Sequence, residues 1–211
     1  MPHVVLLGDS IFDNAAYVGG GPDVITQLRR ALPAGWTCAL CAVDGAGVAD
    51  VERQLSRLPK DATHLVVSVG GNDALGHIDI LSRRARSAAE VLGMLADAVE
   101  PFEARYRRML DAVLARGLPA TVCTVYNGNL PDALTQRLAS TALAVFNDAI
   151  LRVAVETCTP AIELRIVCNE PGDYANPIEP SVRGGGKIAR AVARALAERS
   201  ATSRVSEIFA L

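Results

Sequence analysis

The chain has 211 residues, half of them hydrophobic and 21% charged, with a net charge of −2. A length of this order suits one large domain, residues 1–211, whose core buries roughly 70% of the unfolded surface, and the near-neutral charge excludes a basic groove for nucleic acid. No apolar run approaches the roughly 20 residues that span a bilayer, so no membrane partner is expected.

The sequence opens MPHVVLLGDS, without a basic leader and with an apolar run too short for a signal core, so a cytoplasmic location is expected. HVVLLG (3–8) is the first of five apolar runs of strand length, followed by TCALCAV (37–43), HLVVSVG (64–70), PATVCTVY (119–126) and a weaker AIELRIV (161–167). These runs are nearly continuous, as in strands buried on both faces, and predict a parallel sheet of five strands. Between them, apolar residues at helical spacing predict helices over 23–32, 48–58, about 82–116 with a break at Pro101, 134–157 and 186–199. The alternation gives a three-layer α/β domain. Pro and Gly fall at junctions between elements and mark turns, with no interdomain linker.

Five cysteines, an odd number, do not form a disulfide framework. Cys38 and Cys41 make a CxxC, but it lies inside a strand pattern, no second CxxC or His pair accompanies it, and a redox pair opens a helix. Both are read as buried thiols. No cluster has metal spacing, and neither a metal nor an organic cofactor is expected.

Open parallel sheets bind ligands at the carboxyl ends of their strands, which directs attention to the segments after Gly8, Val43, Val69, Val125 and Val167. Gly8-Asp9-Ser10-Ile11-Phe12-Asp13-Asn14 follows the first strand, where a serine hydroxyl projects above the sheet edge or caps a turn. Asp44-Gly45-Ala46-Gly47 follows the second, where glycine leaves an N–H unshielded or simply makes a tight turn. Gly70-Gly71-Asn72-Asp73 follows the third, with an amide donor in Asn72 and a helix cap in Asp73.

GDS, a glycine turn and GGND, in this order at three strand ends, resemble the SGNH or GDSL hydrolase superfamily over the whole chain. The resemblance implies a flavodoxin-like fold and a serine-ester mechanism. Carried over position by position, it implies Ser10 as nucleophile and oxyanion donor through its N–H, Gly45 as a second donor through its N–H, and Asn72 as a third through its side-chain amide.

The family's last block, DxxH, is replaced by Asn176-Pro177-Ile178-Glu179, so Glu179 stands where the base would be and Asn176 where its partner would be. An unperturbed Glu, with a pKa near 4.3 against about 6.5 for His, is weaker by about 3 kcal/mol of proton-transfer driving force. Burial among Pro177, Ile178 and Pro180 closes part of that gap, and a second carboxylate at 176 would repel the first. Asn176 either donates a hydrogen bond or shapes the turn. His77, in the loop after GGND, is the alternative base or a substrate contact, whereas His3 and His64 begin strands at the opposite edge. Asp9 is read as holding the nucleophile turn, Asp13 and Asn14 as bonding to neighbouring loops, and Asp173 as a solvated turn residue.

The expected function is a serine esterase acting on a small acyl ester, with base Glu179. The alternative is a binding or regulatory module of the same fold with hydrolysis lost, and a nucleotide or flavin binder is disfavoured by two acids in GDSIFDN. Acyl and alcohol specificity and oligomeric state are not legible.

Overall fold

The computed structural model describes residues 1–198 and 207–210. Six parallel strands, β1 (His3–Gly8), β2 (Thr37–Leu40), β3 (His64–Ser68), β4 (Ala120–Cys123), β5 (Ala161–Ile162) and β6 (Ile208–Phe209), lie in the order β2-β1-β3-β4-β5-β6. The helices are α1 (Val24–Ala31), α2 (Val51–Leu55), α3 (Gly71–Leu75), α4 (Ala88–Leu114), α5 (Ala133–Glu156), α6 (Leu164–Val167) and α7 (Val182–Glu198).

Strand pleating sorts the core into two halves. Val5 and Leu7 of β1 pack with Phe102 and Tyr106 of α4 and Ile150 of α5. Val4 and Leu6 pack on the other side with Leu28 of α1 and Ile188 and Val192 of α7. Both faces of β1 are therefore dry, which is why HVVLLG reads as a continuous apolar run.

The sheet has six strands instead of the expected five. β6 is two residues long and carries no periodic signal; it pairs Ile208 with Ala161 and Phe209 with Ile162. The expected fifth strand also stops early, because the Glu163 carboxylate accepts the Thr124 hydroxyl at 2.7 Å and the Arg165 amide at 3.1 Å and turns the chain into α6.

Three helices also depart from expectation. α4 runs unbroken through Pro101, because Pro101 sits on the exposed face while Ala98, Phe102, Tyr106 and Met109 are buried; the lost hydrogen bond and ring clash of an interior proline, about 3 kcal/mol, are outweighed there. α2 is shortened by a 3-10 turn at Val48–Asp50. α7 starts at Val182 and contains Gly184, Gly185 and Gly186. A Cβ on Gly184 would lie 2.0 Å from the Asp173 carbonyl oxygen, so the glycines admit a close helix-loop approach. Arg199, the last residue of the expected helix, lies outside the described residues.

By length and composition α5 is the one helix among the described residues apolar enough to cross a membrane, although no single run had suggested it. Its buried residues Phe146, Ala149, Ile150 and Val153 face the sheet side of the core, and Arg152 reaches Glu103 of α4 at 3.1 Å. Cys38 and Cys41 are free and half-buried, and burial pushes both thiols up, the direction opposite to a redox pair.

Candidate active site

Gly8 ends β1 with φ +126°, and a Cβ there would lie 1.8 Å from the Ser68 carbonyl of β3. Only glycine fits, and the chain turns sharply into Asp9-Ser10. Gln54 of α2 fixes the same residue by donating to the Gly8 carbonyl and accepting its N–H, both at 2.7 Å. The amides of Phe12 and Asp13 donate to the Asp9 carbonyl and that of Ile11 to its carboxyl group. Asp9 thus holds the turn that carries Ser10.

Ser10 is 8% exposed, and its hydroxyl donates to Glu179 Oε1 at 3.1 Å. The two residues are 169 positions apart and meet at the carboxyl edge of the sheet. Glu179 is 6% exposed, and its Oε2 is buried without a hydrogen-bond partner. Burial pushes its carboxyl above the ordinary value; the Ser10 hydrogen bond pulls it back and the charge of Asp44 pushes it further up.

The loop carrying Glu179 is pinned on all sides. The Asn176 side-chain oxygen accepts the amides of Ile178 and Glu179 at 3.0 and 2.9 Å, so Asn176 shapes the turn and does not donate to the carboxylate. The Tyr126 hydroxyl donates to the Ile178 carbonyl at 2.7 Å, the Asn14 amide to the Pro180 carbonyl at 3.1 Å, and the Ala175 N–H to the Glu179 carbonyl at 2.9 Å. Of the expected apolar wall, Pro180 is buried, whereas Pro177 and Ile178 are exposed.

Ser10, Glu179, Asp9, Asn72 and His77 line one cavity of about 120 Å³. Asp9, 2% exposed, has its pKa pushed up to about 8, first by burial and then, against the Ile11 hydrogen bond, by the neighbouring charges of Glu179 and Asp73. The Asn72 amide donates to the Ala46 carbonyl at 2.9 Å, which uses one of its two N–H groups and fixes the direction of the other. Asp73 caps the turn after β2 by accepting the Val48 amide at 2.9 Å and does not cap its own helix. Together these two bonds lock the second and third strand-end segments to each other.

Gly45, with φ +78°, is exposed and does not line this cavity; it borders a neighbouring depression with Asp44, Asp50 and Arg53. His77 is half-buried in the cavity wall with its ring 6.1 Å from that of Phe146, while the Ser10 hydroxyl is already turned to Glu179. Asp173 is not solvated: it is fully buried, paired with Lys187 at 2.7 Å, and accepts the amides of Asn169 and Glu170. His3, whose ring lies 3.1 Å from Asp61, and His64, whose ring stacks near Trp36, stand at the amino-terminal strand edge as expected.

Several supporting residues carried no strong sequence signal. Tyr126 follows β4 at the carboxyl edge, and Asn147, a buried amide on the apolar face of α5, clamps Val125 through both its N–H and its carbonyl at 2.8 Å. A polar residue in the middle of an apolar helical stripe is the clue that would have found Asn147. The apolar half of the cavity, from Leu95 of α4 and Ala139, Leu143 and Phe146 of α5, is a product of tertiary packing.

The family model for the GDSL-like Lipase/Acylhydrolase family matches residues 6–201. An extracellular lipase from Streptomyces rimosus superposes with a TM-score of 0.67 at 16% identity, over 92% of this chain and 99% of that one. The acetyl xylan esterase AlAXEase gives 0.64 at 18% identity over 93% and 100%. Phospholipase A1 from Streptomyces albidoflavus NA297 gives 0.62 at 16% identity over 94% and 99%. A search of curated protein sequences finds no match.

Proposed function

The chain belongs to the GDSL-like lipase/acylhydrolase family, and from that premise we propose that it is a serine esterase in which Glu179 serves as the general base. The observation that carries this reading is the 3.1 Å hydrogen bond from the Ser10 hydroxyl to the buried Glu179 carboxylate. Glu179 takes the Ser10 proton as Ser10 Oγ attacks the ester carbonyl carbon, and the carbonyl π electrons move onto oxygen. The second Asn72 N–H and the Ser10 N–H stabilise that oxyanion, a contribution of about 3 kcal/mol per donor at other sites. Collapse breaks the bond to the alcohol oxygen, which leaves with the proton held by Glu179. Water then attacks the acyl-serine carbonyl carbon, giving one proton to Glu179; collapse breaks the bond from that carbon to Ser10 Oγ, which takes the proton from Glu179, and the carboxylic acid is released.

The raised pKa of Glu179 supports the same reading, because a carboxyl nearer neutrality is a better base. The Asn72-Ala46 bond supports a preorganised donor. Gly45, exposed and outside the cavity that holds Ser10, has no donor role in this proposal.

The test is hydrolysis of p-nitrophenyl butyrate by wild type, Ser10→Ala, Glu179→Gln and His77→Ala. Ser10→Ala and Glu179→Gln should each lose at least a hundredfold in kcat, with His77→Ala within about tenfold of wild type. Full activity in Glu179→Gln with loss in His77→Ala would reassign the base. No turnover in wild type from pH 4 to 10 would favour the non-hydrolytic binding module.

A further inference from the structure

The turn that carries Ser10 uses only half of the Asp9 carboxyl group. One oxygen accepts the Ile11 amide at 3.1 Å, and the second is bonded to no other residue among the described ones. Asp9 is 2% exposed, yet it lines the cavity beside Ser10 and Asn72. A Cβ on Gly71 would meet that second oxygen at 3.9 Å and Val125 at 3.5 Å. Glycine at 71, next to Asn72, leaves the space in front of the oxygen open to the cavity.

The surroundings of Asp9 favour the neutral acid. No cation stands by it among the described residues, and the charges that act on it are those of Glu179, in the loop before α7, and Asp73 of α3. Cys123 of β4 and Tyr126 beyond it are also neighbours, and burial pushes both well above their ordinary values, so neither ionises near neutral pH. His77 lines the same cavity. A buried carboxylate without a cation carries a desolvation cost that protonation removes, and burial accordingly pushes the Asp9 carboxyl up to about 8.

Resting on the esterase reading above, we infer that Asp9 acts as a neutral carboxylic acid whose hydroxyl donates to the carbonyl oxygen of the bound ester, a third donor beside the Ser10 N–H and the Asn72 amide. In the neutral acid the oxygen at Ile11 is the carbonyl, and the second oxygen bears the proton. That O–H donates to the oxyanion as it forms and keeps its proton. Once ionised, the same oxygen has nothing to donate and repels the oxyanion. A buried acid held neutral so that it can donate is a workable oxyanion stabiliser, and here it takes the place that Gly45 leaves by lying outside the cavity.

The test is the alkaline side of the pH profile, with ethyl butyrate hydrolysis followed by titration of the acid released. In wild type, kcat/KM should fall about thirtyfold from pH 7 to pH 9.5 as Asp9 ionises. Asp9→Asn keeps an oxygen for the Ile11 amide and an N–H to donate; it should be about tenfold slower at pH 7, with its rates at the two pH values agreeing within about twofold. Asp73→Asn, a second variant, keeps an oxygen for the Val48 amide and removes one charge that raises Asp9, so the fall should begin at lower pH. A role confined to holding the turn predicts the same alkaline profile in wild type and Asp9→Asn.

A flat wild-type profile, or a fall that persists in Asp9→Asn, overturns the donor and leaves hydrolysis by Ser10 untouched. If Asp9→Asn does not fold, a fall that fails to move in Asp73→Asn overturns it. If no ester is turned over, the esterase reading fails and a binding measurement decides. Butyramide, an uncharged carbonyl acceptor, should then bind Ser10→Ala protein at least fivefold more weakly at pH 9.5 than at pH 7, a difference absent from Ser10→Ala/Asp9→Asn. Equal affinity at the two pH values, or no binding, overturns the donor in that case.

Discussion

The side-chain amide of Asn14 donates to the carbonyl of Pro180 at 3.1 Å, and its oxygen accepts the amide of Val24 at 2.9 Å. One fully buried residue therefore ties the turn that carries Ser10 to both the Glu179 loop and the start of α1. Asn14→Ala should orphan two backbone groups and destabilise the protein by about 2 kcal/mol. It should also lower kcat on butyrate by about tenfold with little change in KM, because Glu179 loses its register with Ser10 while the binding walls persist. Urea unfolding and steady-state kinetics on the folded protein separate the two effects.

With Glu179 as the proposed base, the pH dependence of kcat/KM should report its state in the free protein. In the proposed mechanism the carboxylate is the active form, so the rate should rise with pH through a limb displaced above the ordinary Glu value, in the direction set by burial. Glu179→Asp should keep a limb at reduced rate, Glu179→Gln should lose it, and His77→Ala should leave it in place. A limb that moves in His77→Ala contradicts the assignment.

Asp9 gives a stability signature of opposite sense to most acidic residues. Its pKa is raised from 3.8 to about 8, first by burial, so the folded protein binds a proton that the unfolded chain has released. Its contribution is fully present below about pH 4 and is lost as pH rises through about 8. Asp9→Asn, which preserves the shape of the protonated acid, should gain in melting temperature relative to wild type as pH increases across that interval. A constant difference from pH 4 to 9 counts against a protonated Asp9.

Asp173 is fully buried and depends on Lys187 at 2.7 Å, with Arg183 at 3.5 Å. Lys187→Met should destabilise by about 3 kcal/mol, since removing one partner strands a buried charge. The double variant Asp173→Asn/Lys187→Met should recover part of the loss. Chemical denaturation of the three proteins measures the coupling directly.

The strands that carry the site were legible because a parallel sheet leaves a continuous apolar run and a loop at each carboxyl end. The loops of Ser10 and Asn72 could be placed at the sheet edge in this way, whereas their roles, and that of Glu179 in the block before α7, came from the resemblance to the GDSL family. Three features were not legible. β6 has two residues and no period, so only its partner Ala161–Ile162 reveals it. Asp173 reads as a turn acid because its cation lies 14 positions away in α7. The apolar end of the cavity depends on how α4 and α5 pack, since Leu95 and Phe146 are separated by β4 and two loops.

Residues 174–180 form a closed hoop: Tyr174 bridges to Pro180, Ala175 bonds Glu179, and Asn176 bonds two amides from within. The entropy of ordering this segment is spent when the chain folds. Substrate arrival then finds the carboxylate already aimed, so amide hydrogen exchange at Ile178 and Glu179 should be slow in the free protein and the same after an ester analogue binds. The Glu179 carboxylate belongs to the rigid frame of the molecule, in the same sense as the turn that presents Ser10.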